Sequence, residues 1–125
     1  MKAIESNNMW YFRRHSSISS DDGDDASIAL PVDQITGMTP GPSNALLRIY
    51  FVNLGGIHNV QTIDATQNAY VQLNIDAGRA REVMEFLVQA ANSKTHHQGY
   101  RTIFDAHTGE SAFKHIKGVQ NIHNH

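Results

Sequence analysis

The order of apolar and polar positions divides this chain into one helical stretch and a series of strand-like ones. Over residues 79–92, Ala80, Val83, Met84, Leu87, Ala90 and Ala91 recur at intervals of three and four. Arg79, Arg81, Glu82, Glu85 and Gln89 fall mostly elsewhere, which gives the 3.6-residue period of an amphipathic helix. Phe86 and Val88 widen its apolar arc and suggest a second contact surface. Burying Val83, Met84 and Leu87 would stabilise by roughly 1.5–3 kcal/mol each, against about 0.2–0.5 kcal/mol for an Arg81 to Glu85 pair, so packing on a sheet decides where the helix lies. Asp76 stands where a carboxylate caps the helix start, and Gly78 weakens the first turn.

Every other apolar stretch has the period of a strand. Ile28, Leu30 and Val32 alternate with Ala29 and Pro31, and the proline, which cannot donate to a ladder, assigns this stretch to a sheet edge. Gly37, Pro40, Gly41, Pro42, Ser43 and Asn44 read as a turn-rich connector. Residues 45–54 then form a strand whose two faces, Leu47/Ile49/Phe51 and Leu46/Tyr50/Val52, are both apolar, which predicts a central position. Only Arg48 interrupts it, with a head expected to snorkel to the rim. Gly55 and Gly56 turn the chain into a weaker strand over 58–64. Residues 68–76 set Ala69, Val71, Leu73 and Ile75 against Tyr70, Gln72 and Asn74, one face buried and one wet. Residues 100–105 and 111–116 read as a hairpin around Ala106, His107, Thr108 and Gly109, and Gly118 sets off a last short strand over 119–122. The expected fold is α+β and mainly β: a small antiparallel sheet or partly open barrel of five to seven strands, with one amphipathic helix packed on it.

Residues 1–27 are mostly polar, with one apolar patch at Met9, Trp10, Tyr11 and Phe12, and they read as an N-terminal arm ahead of a single β-rich domain over 28–122 and a tail at 123–125. The patch has the alternation of a short edge strand. Trp10 and Phe12 fall on one side of it, and with Phe86 and Val88 they are the expected subunit contacts. A chain of 125 residues buries roughly two-thirds of its unfolded surface, enough for one core without staples.

Composition narrows the chemistry. The chain has no cysteine, which removes disulfides, thiolate nucleophiles and sulfur-ligated metals. No apolar run approaches the roughly 18 residues of a membrane span, and the N-terminus lacks the basic-then-apolar pattern of a signal peptide. Net charge is −2, but four of the twelve acidic side chains stand together at Asp21, Asp22, Asp24 and Asp25. Neither the whole chain nor the remainder has the basic excess that supplies most non-specific nucleic-acid affinity.

No catalytic constellation stands out. The eight histidines lack metal-ligand spacing: His96 and His97 are adjacent, and His123 and His125 lie at the end of the chain. The aspartate cluster lacks the glutamate that closes a twelve-residue calcium loop. Asp105, His107 and Glu110 fall on a turn that needs such residues for its geometry. The reading is of a chain that is not an enzyme and holds no cofactor or metal. For nucleic acid, the useful cluster is Lys94, His96, His97, Tyr100 and Arg101 with Phe113, Lys114, His115 and Lys117, where cations interleave with aromatics.

Two stretches resemble the paired motifs of Sm-like proteins, RNA-associated small β-barrels that assemble as rings. Ile63-Asp64-Ala65-Thr66-Gln67-Asn68, followed by Tyr70-Val71-Gln72-Leu73, is similar to the first motif, and Ile116-Lys117-Gly118-Val119-Gln120-Asn121-Ile122 to the second. In that family the helix precedes the first strand, whereas here it falls between the motifs. The resemblance implies nucleic-acid contacts at Asp64, Asn68, Lys117 and Gly118. Over a longer span the layout resembles small β-rich proteins of marine phages of the cyanophage type, on Tyr11-Phe12-Arg13, residues 28–38, residues 46–52 and Glu82-Val83-Met84-Glu85. That resemblance implies a homo-oligomeric virion component, capsid or tail, that meets other virion proteins and resides in the virion or host cytoplasm. Membrane is not an expected partner. The alternative is an Sm-like ring binding single-stranded nucleic acid through Asp64, Asn68, His96, His97, Tyr100, Arg101, Lys114, Lys117 and Gly118.

Overall fold

The computed structural model describes residues 9–17, 26–52, 69–92 and 100–123. The aspartate cluster, the Gly55-Gly56 turn, the 58–64 strand, Asp64, Asn68, Lys94, His96, His97 and His125 lie outside the described residues. The mainly β, α+β expectation holds: the described residues form two four-stranded sheets and one α-helix, without a closed barrel. The strands are β1 (Met9–Arg13), β2 (Ser27–Pro31), β3 (Ile35–Pro40), β4 (Leu46–Phe51), β5 (Ala69–Ile75), β6 (Tyr100–Asp105), β7 (Glu110–Ser111) and β8 (Ile116–His123). The helix, α1, spans Ala80–Ala91 between β5 and β6, and a single 3₁₀ turn, Val32–Gln34, joins β2 to β3. One sheet has the order β2-β1-β6-β7 and the other β3-β4-β5-β8.

The largest departure from expectation is β1. Trp10 and Phe12 are fully buried and belong to the core, so they are not exposed contacts on an arm. The strand lies between β2, its antiparallel neighbour, and β6, its parallel one. Its alternation sends Trp10 and Phe12 inward, ring edge to ring face with centroids 6.4 Å apart, and burying two such side chains outweighs anything a polar arm gains from solvent. The register with β6 skips at Ile103, which is itself fully buried. Arg13 ends the strand with only 7% of its surface exposed. Its Nε donates to the His15 carbonyl at 2.9 Å, its Nη2 to the Ser17 carbonyl at 3.3 Å, and Asp105 stands 3.7 Å away.

The proline rule for edges holds twice. Pro31 ends β2 and Pro40 ends β3, and each of these strands is the outer member of its sheet. The connector is shorter than the run of turn residues suggests, because an edge strand tolerates Gly37 and Pro40. At Gly41 the backbone passes so close to Leu46 that a Cβ would lie 2.7 Å from the Leu46 Cβ. β4 is central, between β3 and β5, with Leu47, Ile49 and Phe51 buried; Leu46 and Tyr50 are half-buried and Val52 is exposed, so only one of its apolar faces belongs to the core.

In the C-terminal third β6 pairs with β7 over only two residue pairs. Residues 112–115 then turn, and β8 joins the other sheet beside β5 rather than extending the hairpin. β8 runs through Gly118, which sits opposite Asn74 where the register shifts, so this glycine accommodates an irregularity instead of ending a strand.

α1 packs as its period predicts except at Met84, which is half-buried and lines the outward groove beside Val88. Val83, Leu87 and Ala90 are buried in the same cluster as Trp10, Phe12, Leu30, Leu47, Ile49, Val71 and Leu73, so both sheets and the helix share one core. Trp10 Nε1 is buried without a hydrogen-bond partner among the described residues, an orphan donor costing about 1–3 kcal/mol. Replacing Trp10 with Ala is expected to lower the unfolding free energy by about 3–5 kcal/mol in urea denaturation. Trp10→Phe, which also removes the orphan N–H, should cost clearly less; equal losses would contradict this account.

Candidate functional site

The surface with the most concentrated chemistry lies where the start of α1 meets the turn between β7 and β8. Gly78, at φ +79°, reverses the chain after β5, and its N–H donates to the Asn44 carbonyl at 3.0 Å. This turn separates Asp76 from the helix, so Asp76 is not the cap. Arg79 holds the N-cap position without a side-chain cap bond, and its N–H donates to the Asp76 carbonyl at 3.1 Å. The Asp76 carboxylate instead meets His115, Oδ2 to Nδ1 at 2.8 Å, while the Asp76 N–H donates to the His115 carbonyl at 3.0 Å. The imidazole hydrogen bond, with Lys117 and Arg79 nearby, holds the Asp76 carboxyl below its ordinary value.

From His115 the contacts continue into a row of rings. Phe113 meets His115 edge to face at 5.3 Å, and Phe113 stacks on Phe86 of α1 with centroids 4.7 Å apart and planes 4° from parallel. The Arg101 guanidinium of β6 lies over Phe86 at 5.3 Å. The turn itself is fixed by Ser111, whose Oγ lies 2.7 Å from the Ile116 carbonyl and 2.8 Å from that of Phe113. Glu82, Glu85 and Gln89 join Phe86 and Phe113 around an open groove of about 240 Å³. Glu82 is paired with Arg79 at 2.8 Å, which holds its carboxyl below the ordinary value, and Glu85 stands 3.7 Å from Arg81.

Of the residues expected at a nucleic-acid surface, the fold brings Arg101, Phe113, Lys114, His115 and Lys117 to this corner, with Lys114 and Lys117 exposed and Tyr100 beginning β6. Gly118 is buried within β8, where a Cβ would meet Asn74 Nδ2 at 3.3 Å, so it presents no surface to a ligand. Of the expected subunit contacts, Phe86 is half-buried against Phe113, and Val88 is 47% exposed. The Asp76 to His115 pair was not legible in the chain: the two residues stand 39 positions apart.

The turn after β6 is built for geometry. Asp105 Oδ1 accepts the backbone N–H of His107 at 2.8 Å and of Thr108 at 3.4 Å, an Asx turn, and Gly109 takes φ +79°. His107 Nδ1 donates to the Ser16 carbonyl at 2.9 Å. Among the described residues no group of three or more His, Cys, Asp or Glu converges on a point that a metal ion would occupy, and no helix is long and apolar enough to cross a membrane. Comparison with family models, with curated proteins and with solved structures finds no match to this chain.

The lowered carboxyl of Asp76 gives stability a pH dependence of defined sign. Its pairing contributes above the ordinary carboxylate value of 3.8 and is lost as pH falls through the lowered folded value. Asp76→Asn is expected to be less stable than the parent near neutral pH, with the gap narrowing below about pH 4. Urea midpoints measured across that range check this, and a gap independent of pH would exclude the Asp76 carboxylate as its source.

Proposed function

We propose that this chain is a non-enzymatic, oligomer-forming structural subunit, in the phage-type virion role that the sequence resemblance implies. The observation that carries the reading is the outward face of α1. Val88 and Val52 are the large apolar side chains left exposed among the described residues. Val88 lies with Met84 in an open groove of about 430 Å³, bordered by Arg81, Glu85 and Gln89. An apolar centre ringed by polar groups has the anatomy of a protein contact, and a border carrying both signs of charge suits a face that meets its own copy. The outer strands β2 and β3 do not offer that route as readily, since each ends in a proline that blocks strand addition at that point.

The alternative, an Sm-like ring holding nucleic acid at the corner of Arg101, Lys114 and Lys117, is second for an electrostatic reason. Glu82 and Glu85 border the Phe86 and Phe113 stack and engage the Arg79 and Arg81 guanidiniums, which leaves fewer cations there for phosphates.

Light scattering on the full chain tests the first reading. An oligomer is expected, and Val88→Asp, at a position that is not part of the core, should shift it to a monomer with an unchanged far-ultraviolet spectrum. A parent chain that is monomeric at high concentration, or a Val88→Asp chain that assembles like the parent, would defeat the proposal. Phe86 is the poorer probe because charging it also breaks its stack with Phe113.

A further inference from the structure

The outer face of the β3-β4-β5-β8 sheet carries a second, independent surface. None of these four strands contains an aspartate or a glutamate; their charged side chains are Arg48 and Lys117, with His123 at the end of β8. These strands therefore carry positive charge with no carboxylate of their own to offset it. The strand register aligns aromatic side chains across this face: Tyr50 of β4 pairs with Tyr70 of β5, and Tyr70 with His123 of β8. Their rings touch in sequence, Tyr50 to Tyr70 at 5.7 Å and Tyr70 to His123 stacked at 5.0 Å.

Beside this row runs a polar one. Arg48 pairs with Gln72 in the ladder, its Nε donates to Gln72 Oε1 at 2.6 Å, and its guanidinium lies 4.4 Å from the centre of the Tyr70 ring. Gln72 Nε2 donates in turn to Gln120 Oε1, which leaves Gln72 only 6% exposed. Gln72 takes only the Nε of Arg48, so the two terminal nitrogens remain as donors, held in place by the ring and the amide.

At the β3 end of the aromatic row the surface is open. Gly37 is the partner of Tyr50, at a bulge in the β3 register, and nothing lies within 4 Å of where a Cβ at Gly37 would be. Tyr50 therefore does not cover the glycine; its contact is with Tyr70. The result is an open strip of β3 backbone beside Tyr50, with exposed Thr39 and the cationic Arg48 in the adjoining register position.

We propose that this sheet face binds single-stranded nucleic acid, with a base lying over the open backbone at Gly37 to extend the Tyr50-Tyr70-His123 row and the Arg48 guanidinium meeting the phosphate backbone. Charge complementarity selects this occupant. An aromatic, amide-rich face without carboxylates attracts a polyanion whose units have π-faces, whereas a neutral glycan gains nothing from the sorted charge. The surface is separate from the helix face proposed for assembly.

Fluorescence anisotropy with labelled oligothymidylate and oligouridylate, titrated with the full chain over a range of salt, tests this. Saturable binding that weakens with salt is expected, with a slope of about one for a single phosphate contact. Tyr50→Ala should weaken it by about tenfold, and Arg48→Gln should lower the slope of log affinity against log salt by about one unit. Thr39→Glu, at an exposed edge position, places a carboxylate beside Arg48 and should also weaken binding while leaving the thermal transition in place, so the test survives if Tyr50→Ala fails to fold. Absence of saturable binding would overturn the proposal. So would affinity indifferent to the Tyr50 and Thr39 changes, or salt-insensitive binding of a neutral glucan in place of the oligonucleotides.

Discussion

The rest of the structure depends on the burial of Trp10 and Phe12 in the middle of the first sheet. Among the described residues β2 has no ladder partner other than β1, and β6 has only β1 and the two-residue β7. Removing β1 therefore leaves only the two-pair β6–β7 ladder among the described strands of that sheet, and the core cluster that includes Leu47, Ile49, Val71 and Leu73 of the second sheet loses Trp10 and Phe12. The two aromatic side chains hold that side of the core closed. Because β1 and β6 run parallel and are far apart in sequence, the contact also ties the beginning of the chain to its last third. A loop of that length is costly to close, and only a large buried area offsets it.

With the first sheet in place, the helix has one position that buries its stripe. Val83, Leu87 and Ala90 fill the common core, and the 76–79 turn fixes where the helix begins. The Asp76, His115, Phe113 and Phe86 contacts then fasten the helix to the turn between β7 and β8, which joins the two sheets at that corner. What remains outward on the helix is Met84 and Val88 with a mixed-charge border.

Charge is sorted in the same way. The carboxylates of the described residues lie on the helix, the first sheet and the turns, whereas the strands of the second sheet have none. One core thus presents two chemically different exteriors, a helix face with Met84 and Val88 outward and a sheet face with Tyr50, Tyr70, His123 and Arg48. Near-zero net charge conceals this, because a sum over the chain carries no information about where the charges stand.

The local periods of the sequence determined the element types: the helix within a residue of each end, the alternating strand at β5, the central strand at β4, and the edge position of β2 from Pro31. Those features are legible because a 3.6- or two-residue period, or a missing N–H, acts on the residue that carries it. Alternation says which side of a strand is buried but not which strand lies beside it, so the same Met9 to Phe12 pattern serves an exposed edge or a core strand. Only the tertiary structure decided between these, by placing β6 and β2 on either side. The pairing of Asp76 with His115, and the alignment of Tyr50, Tyr70 and His123 into one row, were likewise set by register between distant segments. A one-residue slip would have dispersed each of them, and the choice of register belongs to the core as a whole rather than to any one strand.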